Sequence, residues 1–233
     1  MELTEEILQQ AHSAKDYLNW TKTLISDFRS EENGIEQIRL RKGLAKQLME
    51  EMLPIGRFAM NHFEASSDVI IELRLGNQHY DAIVKDKRTP KGSIEYIEVT
   101  GTNIVGASNG YEDYLFKHHL HHQGLSGTGK ISAAGSKFKG LKTELQREMV
   151  SQAAVLEHEK QTIQEAIDRK SGIDYPAHTA LVISFDDSFA FDRTDNIDNI
   201  MSVLEASRSK LAHFQMVSIV GYLKGLYLEF HPK

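Results

Sequence analysis

Two acidic residues, Asp81 and Glu98, lie in a stretch of sequence that predicts a β-hairpin. The stretch, HYDAIVKDKRTPKGSIEYIEVTGT, has two runs rich in Ile, Val, Tyr and Thr around a charged connector with Pro90 and Gly92. If the strands pair symmetrically about the centre of this connector, Asp81 stands opposite Glu98, with their side chains ~5 Å apart. Two carboxylates at that distance repel each other unless they share a proton or bind a cation. The pair therefore predicts a site for Mg²⁺ or Mn²⁺, which prefer oxygen ligands.

Side chains alternate along each strand of this hairpin, and this alternation predicts one polar and one apolar face. The polar face holds His79, Asp81, Ile83, Tyr96, Glu98 and Thr100. The apolar face holds Tyr80, Ala82, Val84, Ile97 and Val99. In an alternative interpretation the polar face is an exposed sheet edge, where Asp81 and Glu98 form ion pairs with Lys85 or Arg74.

Composition limits the chemistry that such a site can use. The chain has 233 residues and a net charge of −6, and it contains no cysteine. Disulfides, thiolate metal sites and cysteine nucleophiles are therefore excluded, so any metal must be held by oxygen or imidazole. No apolar run approaches membrane-spanning length, and the acidic N-terminus lacks the layout of a signal peptide. These features predict a cytoplasmic protein with no membrane partner.

Periodicity along the chain predicts helices on both sides of a β-meander. Apolar spacing predicts helices over Thr4–Arg29, from about Ile35 to Met52, and over Phe58–Ala65, Leu141–Asp168 and Ile197–Leu211. Strands are predicted over Asp68–Leu75, His79–Val84, Ile94–Thr100, Thr179–Phe185, Met216–Val220 and Gly225–Phe230. Pro54 and Gly56 are expected to disrupt the second helix, and DRTDNIDN is expected to form a loop. The element order predicts an α/β fold, with α+β as the alternative, built on one central mixed sheet with an antiparallel meander flanked by helices.

A basic segment follows the meander and contrasts with the acidic remainder of the chain. It has no acidic residue between its first and last lysine, and it contains Lys130, Lys137, Lys139 and Lys142. Such a run is either a solvated face or a surface that binds nucleic-acid phosphates. The preceding GLSGTGK resembles part of a phosphate-binding loop, but Ile131 occupies the Ser/Thr position and no strand precedes it, so nucleotide triphosphate binding is rejected.

Two further clusters carry weaker indications. His118 and His122 have the spacing of a helical zinc pair, but no third ligand follows, so a solvated or substrate-facing histidine patch is the preferred interpretation. Asp186 and Asp187 follow the strand TALVISF, either at a ligand-binding strand end or as caps of the next turn.

The order of these elements resembles that of the PD-(D/E)XK nuclease-like superfamily. The resemblance covers roughly residues 35 to 185 and rests on a glutamate-bearing helix, the strands YDAIV and YIEVTG, a second helix and a further strand. It implies a restriction-endonuclease-like core over residues 35–233, preceded by a helical extension over residues 1–34 within a single domain. Two positions depart from the family motif, because Tyr80 replaces the proline and Thr100 replaces the lysine two residues after Glu98.

The resemblance implies a magnesium-dependent nuclease that cleaves DNA or RNA. Asp81, Glu98 and the Val99 carbonyl are then expected to hold Mg²⁺ or Mn²⁺, with Glu50 or Glu51 assisting as metal ligand or water-positioning residue. Thr100 cannot supply the lysine's positive charge, so Lys117 or Lys130 is expected to substitute as a catalytic residue. If neither does, the resemblance implies an inactive nuclease-fold module that binds nucleic acid or a protein partner.

Overall fold

The central sheet is built from two groups of strands that meet at the strand Tyr96–Gly101. A computed structural model describes residues 2–90, 92–102, 131–132, 142–143, 151–185, 187, 193–222 and 225–233. Within these residues the sheet strands are β1 (His12–Ser13), β2 (Val69–Leu73), β3 (Ala82–Asp86), β4 (Tyr96–Gly101), β7 (Thr179–Phe185), β8 (Met216–Gly221) and β9 (Tyr227–Phe230). Their spatial order is β1-β2-β3-β4-β7-β8-β9. A separate pair, β5 (Ile131–Ser132) and β6 (Lys142–Thr143), forms a two-stranded antiparallel ladder.

Strand direction changes character across the sheet. The pairs β1–β2, β2–β3 and β3–β4 are antiparallel. The pairs β4–β7 and β7–β8 are parallel, and β9 is antiparallel to β8. The predicted α/β class is therefore confirmed, with a central mixed sheet that contains an antiparallel meander. Within the described part of the chain, no helix is long and apolar enough to cross a membrane.

Helices cover both faces of the sheet. Those that precede the meander are α1 (Glu5–Leu8), α2 (Ala14–Arg29), α3 (Gly34–Arg39), α4 (Leu44–Gln47) and α5 (Leu53–His62), with a π-helix over Leu48–Met52 between α4 and α5. Those that follow it are α6 (Gln152–Ser171), α7 (Arg193–Ala206) and α8 (Arg208–Leu211).

The buried strand β7 shows how the two layers of core are divided. All seven of its residues are buried, as the apolar run predicted. Ala180 and Val182 belong to a core cluster with α2, α5 and the meander, while Leu181, Ile183 and Phe185 belong to a second cluster with α6 and α7. Successive side chains in a strand point to opposite faces, so β7 contributes to both layers. The first 34 residues contribute Leu8, Tyr17 and Leu24, among others, to the first cluster.

The predicted first helix is wrong in its middle. Thr4 caps α1 as expected, accepting a hydrogen bond from the Ile7 N–H, but the helix ends at Leu8. His12 and Ser13 instead pair with Ile71 and Ile70 at the edge of the sheet, and the Ser13 side chain caps α2. Hydrogen bonds to an open sheet edge are available only in the folded protein, so helical spacing alone could not predict this strand.

The second predicted helix also differs from the prediction. It is interrupted between Arg39 and Leu44, and Pro54 and Gly56 do not end it, because helical backbone continues from Leu44 to His62. Within the π-helix, the Leu53 N–H bonds to the Leu48 carbonyl five residues earlier, and this wider turn precedes the proline. Gly56 lets α5 approach α2, since a Cβ there would lie 3.0 Å from the Leu18 Cα.

Several element boundaries shift as well. The strand predicted over His79–Val84 begins at Ala82, and the one predicted from Ile94 begins at Tyr96. The prediction of a helix over Leu141–Asp168 is wrong at Lys142 and Thr143, which form β6 because they pair with β5. The described helix runs over Gln152–Ser171 and ends before Gly172, and residues 141 and 144–150 lie outside the described residues. The segment DRTDNIDN, expected as a loop, is helical after its first residue, because α7 begins at Arg193.

Candidate functional site

The pairing of β3 with β4 determines how Asp81 and Glu98 lie relative to each other. Ala82 pairs with Ile97, and the Asp81 N–H donates to the Ile97 carbonyl, so the predicted register that sets Asp81 opposite Glu98 is confirmed. Asp81 precedes β3 rather than lying within it. One of its carboxylate oxygens accepts a hydrogen bond of 2.7 Å from the Val99 N–H, which continues the ladder with a side chain in place of backbone.

The ion pairs expected at an exposed edge are not formed by these two carboxylates. Arg74 and Lys85 both pair with Glu72, at 2.8 Å and 3.1 Å. Glu98 is only 6% exposed, as expected for an interior rather than an edge position. The exposed-edge interpretation of the polar face is therefore wrong. Tyr80 was predicted on the face opposite Tyr96, but the two rings are 4.7 Å apart because Tyr80 lies outside the strand.

Glu98 has a cationic partner that sequence reasoning missed. The Lys170 ammonium group lies 2.5 Å from a Glu98 carboxylate oxygen, and both side chains are largely buried. Lys170 comes from the last turn of α6, which connects the parallel strands β4 and β7. The one signal in the sequence is the Arg169-Lys170 pair at the C-terminal end of the long helix, a common position for basic residues because it complements the helix dipole.

Thr100 and Arg169 form the adjoining wall. Thr100 is 4% exposed, and its hydroxyl lies 3.4 Å from an Arg169 guanidinium nitrogen. The same nitrogen donates to the Gly101 carbonyl at 2.7 Å. The position where the resemblance implies a lysine is therefore a buried hydroxyl, and α6 supplies two of the positive charges that line this region.

The π-helix places Glu50 and Glu51 beside the acidic pair. Both side chains line the same cleft, whose volume is about 490 Å³. Glu50 lies 3.6 Å from the Arg41 guanidinium, whereas Glu51 is close enough to Asp81 and Glu98 for their negative charges to act on one another. The cleft is lined by Lys46, Glu50, Glu51, Asp81, Glu98, Val99, Thr100, Gly101, Arg169 and Lys170. π-Helices are often found at functional sites, and this one carries the glutamates.

Burial and mutual repulsion favour the protonated forms of these acids. Burial raises the pKa of Glu51 to about 7, and the charges of Glu50 and Glu98 add to this effect. Burial also raises the pKa of Asp81 well above its usual value, with further contributions from Glu98 and Glu51, although the Val99 N–H opposes the change. The nearby cations Lys46 and Lys170 oppose the rise in the pKa of Glu51 without cancelling it.

Two tyrosine hydroxyls lie close to this cluster. The Tyr17 and Tyr175 hydroxyl oxygens are buried, and that of Tyr17 has no hydrogen-bond partner among the described residues. Burial raises the pKa of Tyr17, and the Glu51 charge adds to it. For Tyr175 the same direction follows from burial and from the charges of Glu98 and Asp81.

Several predicted residues cannot be placed. Outside the described residues lie Lys117, His118, His119, His121, His122, the segment 124–130 with Lys130, and also Lys137, Lys139 and Asp186. Lys142 is described only as part of β6. Asp187 is buried, and its carboxylate accepts a hydrogen bond from the Leu226 N–H just before β9. The turn that directly follows Asp187 lies outside the described residues, so its predicted role as a cap of that turn stays a prediction.

The cleft contains carboxylate groups that could act as metal ligands. Among the described residues, no set of three acidic or imidazole side chains is close enough to form a metal-binding group. The Asp81 and Glu98 carboxylates remain as a pair of oxygen donors on adjacent backbone segments, with Glu51 nearby. Comparisons of the chain with protein-family models, curated proteins and solved structures gave no match.

Proposed function

We propose that the chain is a Mg²⁺- or Mn²⁺-dependent nuclease that hydrolyses phosphodiester bonds of DNA or RNA. The observation that carries this proposal is the meeting of Glu51, Asp81, Glu98 and Lys170 in one cleft. A cytoplasmic location and a restriction-endonuclease-like core belong to the same proposal. The order of the elements supports it, because a glutamate-bearing helix precedes the meander and α6 leads into the parallel strand β7.

The donor chemistry of the cleft fits a divalent ion. Asp81 and Glu98 offer carboxylate oxygens, the ligands that Mg²⁺ and Mn²⁺ prefer. Burial first, and then repulsion among Glu51, Asp81 and their acidic neighbours, raises the pKa of Asp81 and of Glu51, and a bound cation would relieve this repulsion. We assign Asp81 and Glu98 as ligands, with the Val99 carbonyl, and Glu50 or Glu51 as a further carboxylate. A bound ion would supply Lewis-acid activation of water and charge neutralisation at the phosphate.

Lys170 takes the role that the family motif gives to the lysine two residues after Glu98. Its ammonium group reaches Glu98 from α6, so it brings positive charge to the carboxylate where the motif lysine would bring it from the strand. There it can donate a hydrogen bond to a phosphate oxygen as negative charge develops. Glu51, with its pKa near 7, is suited to accept a proton from water at neutral pH.

Cleavage assays on matched variants test this assignment. Labelled single-stranded and duplex DNA and RNA are incubated with Mn²⁺ and the parent protein, Glu98→Gln, Lys170→Met, Lys130→Gln or Lys210→Met. We expect Glu98→Gln to abolish cleavage and Lys170→Met to lower kcat at least about 100-fold, as loss of one charge aimed at the transition state does. Lys210→Met is the control, because Lys210 forms an exposed ion pair with Asp168 and neither residue lines the cleft.

Two outcomes would contradict the proposal. Cleavage that survives in Glu98→Gln would place the reaction elsewhere, and loss of activity in Lys130→Gln but not in Lys170→Met would return the catalytic role to Lys130.

A second candidate function is an inactive nuclease-fold module that binds nucleic acid or a protein partner. Thr100 favours it, because the motif position contains a buried hydroxyl in place of an ammonium group. This alternative predicts no cleavage with any metal. It also predicts salt-dependent nucleic-acid binding that Glu98→Gln leaves intact and that substitution of Lys137, Lys139 and Lys142 weakens.

A further inference from the structure

An array of aromatic and imidazole rings adjoins the acidic cleft. The Tyr175 ring lies 5.9 Å from His213, nearly parallel to it, and 6.3 Å from His79. Phe214 is fully buried and packs against two rings of the array. Its ring centroid lies 4.9 Å from that of Tyr175 and 4.1 Å from that of His213. His79 and His213 are exposed, so the outer rings of the array face solvent.

Tyr175 connects this array to the cleft. Its ring packs within the array, while its hydroxyl is close enough to Glu98 and Asp81 for their charges to raise its pKa. His79 lies two residues before Asp81, and its ring nitrogen Nδ1 lies 2.8 Å from the Asp174 carbonyl oxygen, which fixes the imidazole beside Tyr175. Tyr175 and His79 therefore connect the exposed rings to the neighbourhood of Asp81 and Glu98.

Exposed ring faces beside a site that binds a phosphodiester can stack with nucleic-acid bases. Unpaired bases stack on aromatic side chains, whereas bases within a duplex are already stacked and their faces are covered. The cleft also contains the cationic groups Lys46, Arg169 and Lys170, which suit a phosphate next to such a base.

We propose that His79, Tyr175 and His213 form a stacking platform for unpaired bases, so that the ligand of the cleft is single-stranded nucleic acid. This inference rests on the proposed nuclease function, because it takes the phosphodiester to lie at Asp81 and Glu98. It adds the substrate class, which the carboxylates and lysine do not define.

Binding experiments that vary the base and the ring separately test the platform. Fluorescence anisotropy is measured in Ca²⁺ with a short labelled oligothymidylate, with an abasic strand of equal length and charge, and with a duplex of equal length. We expect the oligothymidylate to bind about tenfold more tightly than the abasic strand or the duplex. His213→Ala should weaken binding of the oligothymidylate at least about fivefold and leave the abasic strand unaffected.

Two variants separate stacking from a structural role of the ring. His213→Trp enlarges the exposed ring and should bind the oligothymidylate at least as tightly as the parent protein. His158→Ala removes an exposed imidazole on α6 that makes none of these ring contacts, and it should change nothing. Thermal unfolding of each variant shows whether the fold is retained.

The outcomes distinguish this inference from the proposed function. Equal affinity for the oligothymidylate and the abasic strand, or no binding to either, would overturn the platform even if the protein cleaves nucleic acid with Mn²⁺. Base-dependent binding that His213→Ala removes and His213→Trp restores would support the platform, and the cleavage assay then decides the nuclease function separately.

Discussion

The Lys170 ammonium group and the Glu98 carboxylate are 2.5 Å apart, although α6 and β4 place them 72 residues apart in the chain. Glu98 is buried with Lys170 as its cationic partner, while Asp81 and Glu51 contribute further negative charge nearby. The cleft thus contains an ion pair within an acidic cluster. The same side chains therefore affect both the stability of the protein and the chemistry of the cleft.

Removing the lysine should destabilise the fold. Lys170→Gln leaves the buried Glu98 carboxylate without a countercharge, and we expect the free energy of unfolding at pH 7 to fall by about 2 kcal/mol. Urea denaturation measures this change. Lys210→Gln is the control, because the Lys210–Asp168 pair is about half exposed and should contribute less than ~1 kcal/mol. In a Glu98→Gln background, Lys170→Gln should cost much less; an unchanged cost there would contradict the pairing.

The pKa of Glu51 predicts how stability depends on pH. Its folded-state pKa is about 7, above the usual value of 4.5, so the folded protein binds a proton that the unfolded chain releases. The parent protein should therefore lose stability as the pH rises from 5 to 8. Glu51→Gln should flatten this decline and stabilise the protein at pH 8 by about 2 kcal/mol.

Urea denaturation across this pH range measures the effect, with the exposed Glu157→Gln as the control for loss of one carboxylate. A steeper decline in Glu51→Gln than in the parent protein would mean that Glu51 is not the group that takes up the proton.

Divalent ions should stabilise the parent protein through the acidic pair. An ion that binds only the folded state raises the free energy of unfolding by about 2.7 kcal/mol at 100 times its Kd. We expect Mn²⁺ to raise the Tm, and the Asp81→Asn, Glu98→Gln double variant to lose this response. The response should also grow with pH, because the ion competes with protons for the carboxylates. An equal Tm shift in the parent and the double variant would place the ion elsewhere.

The hydroxyls of Tyr17, which is buried, and Tyr227, which is half-buried, should respond differently to removal. The Tyr17 hydroxyl has no partner among the described residues, so Tyr17→Phe should be neutral or stabilise the protein by up to about 1 kcal/mol. The Tyr227 hydroxyl donates to Glu229 at 2.5 Å, so Tyr227→Phe should cost about 1 kcal/mol. Thermal unfolding of both variants is the measurement. A larger loss for Tyr17→Phe than for Tyr227→Phe would show that the Tyr17 hydroxyl is bonded.

The hairpin and the buried strand were predictable because their causes are local. The connector around Pro90 fixes the register that sets Asp81 opposite Glu98, and the unbroken apolar run of Thr179–Phe185 matches a strand buried on both faces. In both cases residues close together in the sequence determine the structure, since turn position and side-chain alternation act over a few residues.

The remainder of the site depends on tertiary contacts. Lys170 meets Glu98 only because β4 and β7 pair in parallel and α6 crosses between them, a relation that no local pattern contains. The helical backbone through Pro54 and Gly56 likewise depends on the π-helix and on close packing against α2. The sequence predicted that the helix ends there, because a proline and a glycine disfavour helix locally. The packing against the partner helix α2, which offsets this effect, cannot be read from neighbouring residues.

The separation between Lys170 and Glu98 also orders the events of folding. Asp81 and Glu98 are joined by a short hairpin, whereas closing the 72-residue segment to Lys170 costs about 1 kcal/mol more in chain entropy. We therefore expect the two carboxylates to meet before their countercharge arrives, and the ion pair to form after the folding barrier. Its loss should act mainly on the unfolding rate and leave the folding rate nearly unchanged, so that Lys170 governs how long the native state persists more than how fast it is reached.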